Sequence, residues 1–126
     1  MERCSNSRNS LGKVGEALAQ RFLQGKGYEI LEKNFRCRFG EIDLIAKEGG
    51  EIVFIEVKSR SGTEFGFPEE QISWRKQKRL GRLAQFYLKR CLKEEPARID
   101  MVAILLGEKG KVLQMEVIQN AVSFSG

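Results

Sequence analysis

The amino-acid sequence predicts an α/β fold, a mixed β-sheet flanked by helices in the order α-β-β-β-α-β-β. Three observations carry this expectation. Two segments repeat apolar residues at helical spacing, two strand-like segments flank a Gly-Gly pair, and a long apolar run follows Pro96. In chain order, 11–26 reads as a helix with Leu11, Val14, Leu18 and Phe22 on one face, closed by Gly25-Lys26-Gly27. Segment 28–35 reads as an edge-like strand, because its apolar and polar residues alternate only in part. Segments 41–47 and 52–58 form a hairpin around Glu48-Gly49-Gly50-Glu51, since both central glycines take positive φ without a Cβ clash. From Ser59 to Phe67 the chain is rich in Ser, Gly and Thr and reads as a loop, ended near Pro68. Ser73 is a good N-cap for a helix over 74–92, where Leu80, Leu83, Ala84, Tyr87, Leu88 and Cys91 make an apolar stripe. Segment 98–106 is apolar enough for a central strand, and 111–118 follows a turn at Glu108-Lys109-Gly110.

Composition narrows the chemistry. The 126 residues suit one domain, with a flexible polar tail over 1–10 and a single domain over 11–126. No apolar run approaches the ~20 residues of a membrane helix, and the first ten residues lack the apolar core of a signal peptide. Three widely spaced cysteines imply neither a disulfide framework nor a zinc knuckle, and a cytoplasmic location is expected. The absence of histidine excludes Ser-His-Asp and Cys-His catalysis and His-containing zinc sites. Carboxylates, lysines, hydroxyls or a hard metal remain. The net charge of +5 is compatible with a nucleic-acid partner. Its distribution says more: Arg75, Lys76, Lys78, Arg79, Arg82, Lys89 and Arg90 fall in one helical segment with no acid among them.

The hairpin register concentrates the candidates. A two-residue turn at Gly49-Gly50 pairs Glu48 with Glu51 and predicts Asp43 opposite Glu56 and Glu41 opposite Lys58, all on one face. Two opposed carboxylates repel. A divalent cation removes the conflict, and magnesium prefers one or two carboxylates completed by waters and phosphate oxygens. Lys58 then orients a water or neutralises developing phosphate charge. The competing reading is a solvated acidic pair beside a surface ion pair. Ile45, Ile52 and Phe54 on the same face argue against full exposure.

Other candidates are individually weaker. Glu16 shares a helix face with Ala19 and Leu23 and points either to the cleft or to solvent. Lys76 sits in the first turn of the second helix, where positive charge opposes the helix dipole. A phosphate bound there would account for it, as would simple solvation. Trp74, Phe65 and Phe67 suit either base stacking or satellite packing, and Arg98 with Asp100 suits a structural ion pair.

Gly40-Glu41-Ile42-Asp43-Leu44-Ile45 and Phe54-Ile55-Glu56-Val57-Lys58-Ser59-Arg60 resemble the YraN-like protein family. The likeness extends through Gly15-Glu16, Phe65-Gly66, Lys76, Arg79-Leu80, Ala84, Tyr87-Leu88 and Arg98-Ile99-Asp100-Met101-Val102-Ala103. Ile99 departs from the family's more frequent Phe, a packing change. That family is similar to archaeal Holliday-junction resolvases and to restriction-endonuclease-like folds. The resemblance implies that Asp43 and Glu56 bind Mg2+ or Mn2+, with Glu16 and the Val57 backbone carbonyl as further ligands. It implies that Lys58 activates or positions the attacking water. Two functions follow as expectations. One is a metal-dependent endonuclease acting on DNA, branched DNA included, as a two-fold dimer. The other is a non-catalytic nucleic-acid-binding module, with Arg75, Lys76, Lys78, Arg79 and Arg82 as phosphate contacts.

Overall fold

The computed structural model describes residues 10–61 and 73–122. The predicted N-terminal tail before Ser10, and Phe65, Phe67 and Pro68, lie outside the described residues. The elements are α1 (Ser10–Gly25), β1 (Glu29–Cys37), β2 (Gly40–Glu48), β3 (Glu51–Ser61), α2 (Trp74–Arg90), β4 (Ala97–Leu106) and β5 (Val112–Val122). This is the predicted α-β-β-β-α-β-β order. The strands form one five-stranded sheet in the order β1-β2-β3-β4-β5. Only β3 and β4 run parallel; β1–β2, β2–β3 and β4–β5 are antiparallel. β3 runs to Ser61 rather than Lys58, because its parallel pairing continues from Ile52↔Ala97 to Ser61↔Leu106.

Each helix covers one face. Under α2 lie Phe35, Ile42, Ile45, Ile52, Phe54 and Ile99, packed against Leu80, Leu83, Ala84 and Tyr87. Tyr87 stands edge-on to Phe35 and Phe54, with ring centroids 5.2 and 5.6 Å away. Under α1 lie Leu44, Ala46, Val53, Ile55, Val102, Ile104 and Leu106, packed against Ala19 and Leu23. β4 is therefore covered on both sides, which is why its sequence reads as a nearly unbroken apolar run.

α1 buries a different face from the one predicted. Val14 is exposed, and the contact is made by Gly15, Ala19 and Leu23. Gly15 decides this. A Cβ there would lie 2.8 Å from Ser59 Oγ, so its absence lets the helix settle onto β3. Burying Leu23 then contributes about 1.5–3 kcal/mol. The helix ends through Gly27, whose φ of 94° reverses the chain, and the Tyr28 N–H donates to the Leu23 carbonyl at 3.0 Å.

The Gly49-Gly50 turn has φ of 60° and 82°, the two positive values this tight hairpin needs. The cross-strand pairs run as predicted from Glu48↔Glu51 to Leu44↔Ile55. There the ladder stops. Asp43 and Glu56 are not a ladder pair, nor are Glu41 and Lys58, and this corrects the predicted register at its far end. Ile42 and Ile45 both pack under α2 while Leu44 packs under α1, so the alternation of β2 breaks at Asp43–Leu44. Such breaks re-aim side chains and end pairing beside functional sites.

A buried polar network locks the opposite end of the sheet. Arg98 donates through Nε to both Asp100 oxygens at 3.1 Å and through Nη2 to Glu48 at 2.8 Å, and it also pairs with Glu51. Asp100 further accepts from the Tyr28 hydroxyl and the Asn120 N–H, each at 3.0 Å. The expected Arg98–Asp100 ion pair is therefore present, and it ties the hairpin tip to β4 and β5. Burial would lower the Arg98 pKa, but hydrogen bonds to Glu48, Glu51 and Tyr28 outweigh it and hold the guanidinium above its ordinary value.

Candidate active site

Where the β2–β3 ladder opens, the Asp43 side chain takes over a backbone role. Its Oδ2 accepts the Val57 N–H at 2.7 Å. Strand-pairing logic assumes carbonyl acceptors, so the sequence alone does not reveal this substitution. Asp43 is 5% exposed and Glu56 9%, so both carboxylates are withdrawn from water. Charges so placed need compensation.

Glu56 receives part of it from α2. Ser73 caps the helix by accepting the Lys76 N–H at 3.1 Å, and the first turn so formed stands beside the middle of β3. Lys76 Nζ forms an ion pair with Glu56 Oε2. This explains a lysine where the helix dipole disfavours one: a buried acid faces it. Lys58, on the next turn of the β3 pleat from Glu56, is half-buried and aligned with Ala103 of β4. Among the described residues it makes no ion pair.

Glu16 reaches the sheet from α1, and its Oε1 accepts from Asn34 Nδ2 at 2.9 Å. Asn34 has φ of 53° and lies between the pairs Lys33↔Leu44 and Phe35↔Ile42, level with Asp43. Asn tolerates this left-handed conformation better than most residues. An isolated Asn inside a strand is the signal that would have marked this position. Glu16 belongs to the α1 layer and Glu56 to the α2 layer. Among the described residues no three His, Cys, Asp or Glu side chains cluster closely enough to hold a metal. Asp43 and Glu56 thus lie where the β2–β3 ladder opens, Asp43 bonded to the residue after Glu56, while Glu16 is anchored through Asn34. Glu41 is drawn away to Arg36 at 3.3 Å.

The donor set nonetheless fits a hard cation. Two buried carboxylates and no soft ligand match magnesium or manganese, which take one or two carboxylates and fill the remaining positions with water and substrate oxygens. An all-protein cage is not what these ions require. Arg75, Lys78, Arg79 and Arg82 lie exposed on the outer surface of α2, within two turns of Lys76. No helix among the described residues is long and apolar enough to cross a membrane.

Among known proteins, a UPF0102 protein of Caldicellulosiruptor saccharolyticus is 45% identical over 116 residues, covering 91% of this chain and 98% of the relative. A UPF0102 protein of Thermodesulfovibrio yellowstonii is 53% identical over 98 residues, covering 78% of this chain and 88% of the relative. SfsA of Pyrococcus furiosus, solved in complex with Ca2+, matches with a TM-score of 0.41 at 16% identity over 92% of this chain. The chain spans 64% of the length of SfsA. The pattern of the Uncharacterised protein family UPF0102 matches residues 15–104. With that match and full-length relatives at this level of identity, the chain belongs to the YraN-like family UPF0102.

Proposed function

We propose that this protein is a metal-dependent endonuclease that hydrolyses phosphodiesters in DNA. The observation that supports it best is the placement of Asp43 and Glu56, two buried carboxylates at the open end of the β2–β3 ladder beside a basic helix. A protein that only held an anionic ligand would gain nothing from two acids there. Asp43 and Glu56 would hold Mg2+ or Mn2+ with the Val57 carbonyl that the family resemblance implies, whereas Glu16, the other ligand it implies, is bonded to Asn34 and would have to turn toward the cation. Such a cation, when bound, supplies Lewis acidity and a more acidic water. Lys58 orients the nucleophile and balances charge on the phosphate. Lys76 neutralises Glu56 in the resting protein and offers a second cation near the substrate. Arg75, Lys78, Arg79 and Arg82 hold the backbone, with affinity that falls steeply with salt. Branched DNA and a two-fold dimer are the substrate form and assembly within this reading.

One observation favours a second reading, a nucleic-acid-binding module without catalysis: Lys76 already satisfies Glu56. Cleavage of labelled four-way junction, flap, duplex and single-stranded DNA, in magnesium or manganese against EDTA, separates the two. Cutting that needs metal and disappears in Glu56→Gln supports the endonuclease. Equal cutting by Glu56→Gln refutes it, and salt-sensitive binding with no cutting of any substrate selects the module.

A further inference from the structure

The outer surface of α2 and the turn joining β1 to β2 enclose a groove of about 410 Å³. Among the described residues, Arg38, Arg75, Lys78, Arg79 and Arg82 line it, five cations with no acid, together with Phe39 and Trp74. It continues past Phe86 and Lys89 into a second groove that shares Arg38, Phe39 and Arg82, where the acids among the described residues are Glu94 and Glu95. Gly40 makes the close fit possible. A Cβ there would stand 3.2 Å from Arg79 Cδ, so the missing side chain lets Arg79 lie across the turn.

The aromatic residues set this surface apart from a plain basic patch. Trp74 is 71% exposed, with Lys78 Nζ 4.6 Å from its ring centroid. Arg38 lies 5.1 Å from the Phe39 ring and Arg90 lies 5.7 Å from the Phe86 ring. Five clustered cations repel one another, and a polyanion relieves that repulsion. Duplex phosphates need only the cations. Unpaired bases also present faces on which exposed rings stack, and rings interleaved with cations are how single strands are held without sequence preference. The 17 residues of α2 span about 25 Å, room for several nucleotides.

We infer that this groove binds an unpaired nucleic-acid strand, with its phosphates on Arg38, Arg75, Lys78, Arg79 and Arg82 and a base stacked on Trp74. The inference rests on the nucleic-acid partner of the proposed function and narrows its substrate to structures with a single-stranded segment. Trp74 lies two residues before Lys76, so the strand would leave the groove beside Glu56.

Trp74 is the chain's single tryptophan, so its fluorescence reports on this site alone. The Glu56→Gln protein in EDTA, which removes cleavage as a variable, is titrated with an oligothymidylate, a duplex of equal length and polyglutamate. Quenching by the oligothymidylate, at lower concentration than by the duplex, is expected. Trp74→Ala should weaken strand binding on the order of 5- to 100-fold, the value of one stacked base. Lys78→Ala should flatten the logarithmic salt dependence by about 0.7. Both positions are exposed, and unchanged circular dichroism confirms that the variants fold. Equal or tighter duplex binding, displacement by polyglutamate at matched charge, or a Trp74→Ala effect below about twofold overturns the inference. The two readings fail separately. Metal-dependent cleavage that Trp74→Ala leaves untouched removes the groove alone, whereas strand-selective quenching in a native protein that cuts nothing removes the nuclease alone.

Discussion

Replacing Arg98 with Met tests what the buried network contributes. Asp100 is 0% exposed and accepts from three donors: Arg98 Nε, the Tyr28 hydroxyl and the Asn120 N–H. Arg98→Met keeps most of the side-chain volume but removes the cation. It leaves a buried carboxylate supported by two neutral donors, and it leaves Glu48 and Glu51 facing each other across the hairpin turn without the guanidinium they share. Breaking one side of a buried pair costs about 3–5 kcal/mol. The two surviving donors place this case at the lower end, about 3 kcal/mol, which lowers Tm on the order of 10 °C for a domain of this size. Urea unfolding followed by circular dichroism reads the loss directly. The double variant Arg98→Met/Asp100→Asn removes both charges and should recover on the order of 1 kcal/mol relative to the single variant. A single-variant loss below about 1 kcal/mol, or a double variant less stable than the single, would show that the network is not held by charge compensation.

Two further outcomes follow from the geometry. Asp43→Asn keeps an oxygen for the Val57 N–H and should change stability by less than about 1 kcal/mol, whereas Asp43→Ala leaves that N–H without its acceptor and should lose about 1–2 kcal/mol. Both should abolish cleavage, and urea midpoints that do not separate the two variants would contradict the assigned role of the carboxylate. At high pH, burial holds the Tyr28 and Tyr87 hydroxyls above their ordinary pKa of 10.0. The unfolded chain then releases protons that the folded chain keeps, so stability falls as pH rises past about 10, by about 1.4 kcal/mol per pH unit for each tyrosine. Tyr87→Phe removes one of these contributions, so as pH rises past about 10 its stability should fall less steeply than that of the native protein. Profiles that stay parallel would refute the assignment.

The hairpin was legible because its turn is dictated locally. Two adjacent glycines permit one tight geometry, and the pairs from Glu48↔Glu51 to Leu44↔Ile55 follow by counting. The end of that ladder was not legible, since the acceptor for the Val57 N–H is a side chain and apolar alternation carries no information about it. The α1 face was misread for a related reason. Hydrophobic periodicity gives weight to Val14 and none to Gly15, yet it is the missing Cβ of Gly15 that brings the helix close. Lys76 and Glu56 each stood out in the sequence, one as a cation in the wrong helical turn and one as a strand acid beside apolar neighbours. Their pairing is a tertiary fact, created when the helix that Ser73 caps packs its first turn beside the middle of β3. Arg38 and Phe39 carried no periodic signal, and the groove exists only because the β1–β2 turn folds back onto α2.

The single parallel junction has a consequence for biogenesis. β1, β2 and β3 are joined by short turns and can associate as soon as they leave the ribosome. Ile52 must wait for Ala97, 45 positions later, before the inner edge of β3 is paired. At a synthesis rate of about 5–20 residues per second, that edge stays bare for roughly 2–9 s. Its Ile52-Val53-Phe54-Ile55 run is apolar and rich in β-branched residues, the kind of segment that seeks another strand. The charged residues that follow it, Glu56, Lys58 and Arg60, therefore serve the nascent chain as well as the finished one: they interrupt the sticky stretch during the seconds when no native neighbour exists to cover it.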